Sequence, residues 1–302
     1  MNHSRRGFLK TTMAATAALT ASQLPSCADH HEGEDKDEPK FKISLAQWSL
    51  HRTINKGELK NIDFPKYTKE KFGIHGVEYV NSFFKKHAKD MAYLKDLKGR
   101  ADGEGVRNVL IMCDGEGNLG AKTEDARTKT VENHKKWVEA AKFLGCHSIR
   151  VNAGGPGNKE ELAKQVIDGL TRLSTFAKDF DINVIVENHG GLSSDGAWLS
   201  GVLKKINMDN CGALPDFGNF HQYDRYQGIK DLMPYAKGVS AKSRKFNDKG
   251  DEVETDFLKA MKLVDAAGYR GYVGIEYEGG KLSEHDGIIA TKKLLERVFP
   301  QV

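Results

Sequence analysis

The chain of 302 residues has few cysteines, no long apolar run, no strong excess of one charge and no short-period repeat. Its N-terminal run TTMAATAALTASQLPS is too short and too rich in Ala and Thr to span a bilayer. Residues 1–27 carry three basic residues and no acidic one, and their removal leaves 43 of the 46 Lys and Arg against 42 Asp and Glu. A chain so close to neutral offers no surface for a polyanion, which argues against a nucleic-acid partner.

Three cysteines lie beyond the N-terminal segment. Cys113, Cys146 and Cys211 sit in or beside apolar strand-like runs and have no CxxC spacing. An odd number without a pairing pattern predicts buried free thiols rather than disulfides.

The N-terminus indicates export. SRRGFLK (4–10) is a twin arginine followed by Phe-Leu-Lys, which is typical of the twin-arginine pathway. We predict a signal peptide over 1–27 and an acidic, solvated linker over 28–40. LPSC (24–27) resembles a lipobox with Cys27 as the lipidated residue, and cleavage by the ordinary signal peptidase is the alternative. The expected location is the periplasm, with membrane contact only through that lipid anchor.

From residue 41 to 302 strand-like runs alternate with helical segments. The eight strand candidates are 41–50, 76–80, 106–114, 147–155, 183–191, 212–220, 237–246 and 271–279. Helical crossovers predict parallel pairing, and eight such units predict an α/β fold, a single-domain (β/α)8 barrel. A doubly wound open sheet is the alternative, but LAQWSLHR at the first strand is no Gly-rich nucleotide fingerprint.

Four of the later runs end in polar residues, namely Glu187, Asp216, Lys242 and Glu276. Because barrel strands end at one face, these side chains are expected to share a pocket. A buried carboxylate is costly unless it is paired or metal-bound, so the alternative for each is a salt bridge with Lys242 or Arg150. Three carboxylates at three strand ends favour a metal site, and oxygen ligands suit Mg²⁺ or Mn²⁺, with Zn²⁺ as a further option.

Such a site suits sugar chemistry. A metal held by Glu187, Asp216 and Glu276 would polarise a sugar carbonyl, and a glutamate would remove the adjacent proton. Lys242 is a third catalytic candidate, as a stabiliser of the oxyanion. Further strand-end residues are substrate-binding candidates, namely Gln47, Trp48, His51, Arg150, Asn152 and His189. For Trp48 core packing is the alternative, and for Arg150 a structural ion pair with Glu187 or Glu78.

Four motifs together resemble the xylose isomerase-like barrels, a superfamily of sugar isomerases and epimerases that includes endonuclease IV. They are Gly76-Val77-Glu78, Glu187-Asn188-His189, Asp216-Phe217-Gly218-Asn219 and Ile275-Glu276, and the resemblance covers 41–302. It implies that Glu187 and Glu276 bind metal and act as an acid–base pair, with Asp216 as a pure ligand. It also adds Glu78 and Asn219 to the substrate-binding candidates and implies a homo-oligomer.

One motif departs from that family. Its seventh strand usually reads His-x-Lys-Asp with a metal-binding His, whereas this chain has Ser240-Ala241-Lys242-Ser243. His189 and His221 are candidates for a replacement ligand. A metal-free site built around Lys242 is the alternative.

The sequence thus predicts an exported sugar isomerase or epimerase with a small carbohydrate as its partner. A non-phosphorylated sugar or keto-sugar is favoured, because sugar phosphates are scarce outside the cytoplasm. The alternatives are a lyase or hydrolase that cleaves keto-glycosides by β-elimination with the same glutamates, and a non-catalytic sugar-binding lipoprotein. Near-neutral charge and few strand-end histidines disfavour an endonuclease IV-like nuclease.

Overall fold

A computed structural model describes residues 39–302. The predicted signal peptide over 1–27, with its lipobox, and most of the predicted linker over 28–40 lie outside the described residues.

Eight parallel strands form the centre of the fold. They are β1 Lys42–Ala46, β2 Gly76–Val80, β3 Arg107–Met112, β4 Ser148–Val151, β5 Asn183–Glu187, β6 Cys211–Leu214, β7 Val239–Ser243 and β8 Tyr272–Tyr277. The order across the sheet is β6-β5-β4-β3-β2-β1-β8-β7. Isolated parallel bridges from Ala213 to Ala236 and from Asp216 to Ser240 bring β6 and β7 together. The predicted (β/α)8 barrel is confirmed, and the open doubly wound sheet is wrong.

Helices connect the strands. They are α1 His51–Asn55, α2 Phe64–Phe72, α3 Met91–Gly103, α4 Glu124–Leu144, α5 Lys159–Lys178, α6 Gly196–Ile206, α7 Arg225–Leu232, α8 Phe257–Ala266 and α9 Glu284–Val298. Side-chain caps fix where several of them begin. Asn158, for example, forms a capping box with Glu161 at the start of α5.

Apolar side chains fill two regions because residues alternate in direction along each strand. One cluster contains Val80, Leu110, Met112, Ile185 and Leu214. A Cβ atom added at Gly238 would meet both Leu214 and Leu110, which places this cluster inside the barrel. The larger cluster packs the outer strand faces against the helices.

The first strand is shorter than predicted. It ends at Ala46, where its pairing with β2 stops, and the chain turns into a 3-10 segment, Gln47–Leu50, followed by α1. The backbone amides of Arg52 and Thr53 donate to the carboxylate of Glu284 at 2.7 and 2.9 Å. A contact with a residue so far along the chain stabilises α1, so no local pattern predicted that helix.

The predicted free thiols are confirmed. Cys113, Cys146 and Cys211 are buried and unbridged. Burial raises the pKa of Cys146 to about 12 and that of Cys211 to about 11, so both thiols stay protonated and unreactive. Within residues 39–302 every helix is too short or too polar to cross a bilayer.

Candidate active site

Three carboxylates meet at the carboxyl ends of the barrel strands. Glu187 is the last residue of β5, Glu276 lies in β8, and Asp216 follows β6 by two residues. Their exposed fractions are 0%, 3% and 0% in that order. One oxygen atom from each lies within 4.8 Å of the others. The structure therefore brings together three residues that the sequence predicts to share a pocket.

The ammonium group of Lys242, on β7, balances this cluster. Its Nζ lies 3.7 Å from Asp216 Oδ2 and 3.5 Å from Glu276 Oε2. It also lies 3.2 Å from Oε2 of Glu278, just beyond β8. Burial alone would lower the pKa of Lys242, but the carboxylates, Asp216 foremost, hold it above its usual value. Lys242 is therefore a cation at neutral pH.

Arg150, on β4, is the counter-charge of the other glutamate. Its Nε lies 2.8 Å from Glu187 Oε2, and its NH1 donates to Asp114 Oδ1 at 2.8 Å. Asn152 donates to the same Asp114 oxygen at 2.7 Å. The guanidinium is almost fully buried, and its pKa stays above the usual value because Glu187 and Asp114 outweigh the opposing effect of burial. Arg150 thus forms the ion pair with Glu187 that was the alternative to substrate binding.

Short polar contacts fix the orientation of Asp216. The Asn188 side chain donates to the Asp216 carbonyl at 3.0 Å and accepts from its amide at 2.7 Å. The Gly218 amide donates to Asp216 Oδ1 at 2.8 Å. The Ser240 hydroxyl lies 2.7 Å from Asp216 Oδ2 and 3.1 Å from Glu276 Oε2 and donates to these oxygens. Ser240 thereby links two carboxylates that would otherwise repel each other.

Burial raises the pKa of all three carboxylates. For Glu187 the opposing effect of Arg150 is the next largest, and for Asp216 and Glu276 it is that of Lys242. Mutual repulsion within the cluster acts in the same direction as burial. Each carboxyl group therefore binds its proton more tightly than an exposed one, which suits groups that take up and return protons.

The cluster fits a divalent cation. The three carboxylates supply hard oxygen ligands, and the Ser240 hydroxyl adds a fourth oxygen beside them. Oε2 of Glu187 is buried and makes no hydrogen bond, so it has capacity for a ligand. Within residues 39–302 this cluster contains no histidine. His189 and His221, the candidates for a replacement ligand, are exposed and lie outside it.

The aromatic side chains of Trp48 and His51 form part of the outer edge of the site, called the rim below. Trp48 donates through Nε1 to Glu278 Oε1 at 2.7 Å and is partly exposed. His51 stacks on Trp48 with ring centres 4.7 Å apart, and its Nδ1 lies 2.7 Å from the Trp48 carbonyl oxygen. Trp48 therefore lies beside a carboxylate that contacts Lys242, whereas the carboxylate nearest to His51 is Glu284, 3.5 Å from its Nδ1.

Gln47 and Glu78 lie deeper than the rim. Gln47 is fully buried, where its Nε2 donates to Asn61 at 2.8 Å and its Oε1 accepts from the Val80 amide at 3.0 Å. Glu78 is also buried and accepts from Ser44 Oγ at 2.6 Å, while its Oε2 makes no hydrogen bond. Burial raises the pKa of Glu78 to about 8. Both side chains are engaged with the barrel wall, and their substrate-binding role stays a prediction.

The remaining substrate-binding candidates have different positions. The Asn219 side chain donates to Glu187 Oε1 at 3.2 Å, so it contacts the cluster directly. His189 is exposed, and its backbone amide donates to Ser193 at 3.0 Å. Asn152 is half-buried beside Asp114.

Three charged residues at the site were missed from the sequence. Asp114 ends the third strand candidate and Glu278 shares a side with Glu276, so strand-end position could have identified both. Arg244 directly follows β7 and shares a side with Lys242, so the same signal could have identified it. It donates to Gly218 O at 3.3 Å and to Asn219 Oδ1 at 3.2 Å, and lies 3.6 Å from Glu278.

Solved structures with the same fold are numerous, and the three described below share 15–18% sequence identity with this chain. The IolI protein with a bound zinc atom has a TM-score of 0.70 at 18% identity, with 86% of this chain and 99% of that one covered. A D-tagatose 3-epimerase-like protein has a TM-score of 0.67 at 18% identity, with 87% of this chain and 98% of that one covered. The 3-keto-D-glucoside 4-epimerase YcjR from E. coli has a TM-score of 0.66 at 15% identity, with 86% of this chain and 100% of that one covered.

No curated protein sequence matches the chain significantly. The family described as xylose isomerase-like TIM barrel, in contrast, matches residues 67–298, from α2 to the end of α9. That span includes all three carboxylates of the cluster together with Lys242 and Arg150. This chain belongs to the xylose isomerase-like TIM barrel family.

Proposed function

We propose that the protein is a sugar isomerase or epimerase in which Glu187 and Glu276 form the acid–base pair. The observation that carries the proposal is that both glutamates are buried, lie at the ends of different strands and have separate counter-charges. Arg150 contacts Glu187, and Lys242 contacts Glu276. Two independently balanced carboxyl groups allow one to be ionised while the other carries a proton. The epimerases among proteins of the same fold support this class of reaction.

The chemistry follows from these positions. One glutamate takes the proton from the carbon next to a substrate carbonyl, and the C–H electron pair becomes the double bond of an enediolate. Lys242, the cation of the cluster, stabilises the oxyanion that forms. The other glutamate returns a proton to the same carbon from the opposite face, which gives the epimer. Return to the neighbouring carbon, with transfer of the hydroxyl proton to the former carbonyl oxygen, gives the isomer. A divalent cation held by Glu187, Asp216 and Glu276 would supply further polarisation of the carbonyl oxygen.

The charged side chains that line the candidate active site favour a neutral substrate. Five carboxylates line the site, namely Asp114, Glu187, Asp216, Glu276 and Glu278, against the three cations Arg150, Lys242 and Arg244. Before a divalent cation binds, such a surface carries an excess of two negative charges and repels a phosphate dianion. We therefore propose a non-phosphorylated sugar or keto-sugar as the substrate.

Deuterium incorporation tests the reaction without knowledge of the product. The full chain is incubated in D₂O, with and without Mn²⁺, with D-fructose, D-tagatose and 3-keto-D-glucosides, and C–H exchange is followed by NMR. We expect exchange into one of these sugars, and its loss in Glu187→Gln and in Glu276→Gln. Glu160→Gln, which removes an exposed carboxylate of α5, is the matched control. Exchange that survives in both site variants would disprove the acid–base assignment.

We propose that the protein is exported through the twin-arginine pathway and lies in the periplasm. The motif at 4–10 supports this proposal. Replacement of both Arg5 and Arg6 by Lys should retain the chain in the cytoplasm, as measured by cell fractionation. Cys27→Ala should release it from the membrane fraction only if Cys27 is lipidated.

A further inference from the structure

Lys242 occupies space beside the oxygens that a metal ion would use. Its Nζ lies 3.7 Å from Asp216 Oδ2 and 3.5 Å from Glu276 Oε2. The Ser240 hydroxyl donates to the same two oxygen atoms. A divalent cation bound to these oxygens would lie only a few ångströms from a buried ammonium group. Little water separates charges in so buried a site, so the two cations would repel each other strongly.

A fourth carboxylate offers the ammonium group another partner. Oε2 of Glu278 is 3.2 Å from Lys242 Nζ, closer than either cluster oxygen. Glu278 lies at the rim, where its side chain is 25% exposed, and its other oxygen is fixed by Trp48 at 2.7 Å. Glu278 is not one of the three carboxylates grouped for metal binding. It therefore holds the ammonium group without using a candidate ligand.

We propose that Lys242 and a divalent cation compete for Asp216 and Glu276, and that Glu278 favours the cation by holding the ammonium group at the rim. This inference rests on the metal site of the proposed function. It implies that metal binding is reversible and weaker than the three carboxylates alone would give. It also implies that the barrel folds without metal, because the cluster already has an internal counter-ion.

Mn²⁺ affinity of the full chain, measured by isothermal titration calorimetry, tests the competition. Lys242→Met keeps the bulk of the side chain and removes its charge, so we expect Mn²⁺ to bind about tenfold more tightly or better. Lys245→Met is the matched control, because Lys245 is an exposed lysine three residues after Lys242 and pairs with Glu254. It should leave the affinity unchanged. Equal or weaker binding in Lys242→Met would overturn the proposal.

Glu278→Gln tests the role of the rim carboxylate and spares the buried cluster. We expect weaker Mn²⁺ binding in this variant, because the ammonium group then has only Asp216 and Glu276 as partners. Loss of any nearby negative charge also weakens cation binding, so the double variant with Lys242→Met is decisive. The effect of Glu278→Gln should largely disappear in that background. An equal effect in both backgrounds would show that Glu278 does not act through Lys242.

Two further measurements separate this inference from the proposed function. Thermal unfolding in EDTA should show that the wild-type chain is folded without metal, and a cooperative transition in Lys242→Met shows that this variant is folded. Glu187→Gln should abolish Mn²⁺ binding. If it does so while Lys242→Met binds like the wild type, the metal site stands and only the competition is wrong. If Mn²⁺ binds to none of the proteins, the competition is also wrong, and deuterium exchange alone then decides the reaction.

Discussion

Arg150 Nε lies 2.8 Å from Glu187 Oε2, yet neither atom makes a hydrogen bond. The contact is thus an ion pair without the alignment that a hydrogen bond requires. The guanidinium is instead oriented by Asp114, to which NH1 donates. Arg150 therefore supplies charge to Glu187 while a different carboxylate determines its position, and Glu187 Oε2 keeps its capacity for another ligand.

Loss of this guanidinium should destabilise the barrel. Arg150→Met leaves Glu187 as a buried carboxylate without its counter-charge, and breaking such a pair costs about 3–5 kcal/mol. Urea unfolding at pH 7 measures the change in the free energy of unfolding. Arg172→Met is the control, because the half-buried Arg172 of α5 pairs with a partly exposed Asp168 at 3.7 Å and otherwise donates to the neutral Thr128 hydroxyl at 2.7 Å. Its loss should cost no more than about 1 kcal/mol. Equal losses in the two variants would contradict the structural role of Arg150.

Gly274, on β8, leaves the space that Glu78 occupies. A Cβ atom at this position would lie 2.4 Å from Glu78 Oε1 and 2.7 Å from Oε2. Gly274→Ala would push the buried carboxyl group off Ser44 and should cost about 1–3 kcal/mol. Gly201→Ala on α6 is the matched control, since nothing lies within 4 Å of its added Cβ. It should be neutral or stabilise by up to about 1 kcal/mol. Thermal unfolding compares the two variants.

Glu78 should make stability depend on pH. Burial raises its pKa from 4.5 to about 8, so between these values the folded state holds a proton that the unfolded state has lost. The folded state binds more protons, and the free energy of unfolding therefore falls as pH rises through this window. One carboxyl group contributes at most about 1.4 kcal/mol per pH unit. Glu78→Gln should flatten the decline in part. The rest of the decline should remain, because the pKa values of Glu187, Asp216 and Glu276 are also raised by burial.

Urea unfolding at pH 5, 6, 7 and 8 measures this decline. Glu104→Gln is the control, because the pKa of Glu104 is shifted in the opposite direction from that of Glu78. A hydrogen bond from Lys69 holds it below its usual value. Any stability that Glu104 contributes is present above pH 5 and is lost only in acid, so its variant should keep the wild-type slope. A Glu78→Gln profile parallel to the wild type would mean that Glu78 is ionised in the folded protein.

The strand-end carboxylates could be predicted because two regularities coincide. Side chains alternate along each strand, and parallel strands of a barrel end at one face. The positions of the strands therefore bring Glu187, Asp216 and Glu276 together, independently of the loop conformations. The catalytic and ligand roles assigned to them stay predictions.

Contacts set by loops could not be predicted in this way. Gln47 was a substrate-binding candidate at the end of the first predicted strand. In the structure β1 ends at Ala46, one residue before it, and the Gln47 side chain contacts Asn61 and the Val80 amide. Arg150 was considered as a partner of Glu187 or Glu78, and the structure pairs it with Glu187 and Asp114. Each of these contacts depends on the residue at which a strand ends, and the periodicity of the sequence does not determine that residue.

The loop after β7 depends on one buried carboxylate. Glu252 Oε1 accepts from the amides of Arg244 and Lys245 at 3.2 and 3.1 Å. Its Oε2 accepts from the amides of Glu254 and Thr255 at 2.7 and 2.5 Å. The two carboxylate oxygens thus accept from backbone amides at the two ends of the segment 244–255. Arg244, the first residue of that segment, donates to the turn after Asp216.

Glu252→Gln should loosen this loop while the barrel stays folded. The amide group that replaces one oxygen cannot accept, so two backbone amides lose their partner at a cost of about 2–3 kcal/mol. Hydrogen–deuterium exchange of segment 244–255 should quicken about thirtyfold or more, while that of α5 stays unchanged. Glu254→Gln is the control, because that carboxylate pairs with Lys245 at the surface and its loss should change local exchange little. Equal protection in the two variants would show that backbone contacts alone hold the loop, and that Arg244 reaches the rim without Glu252.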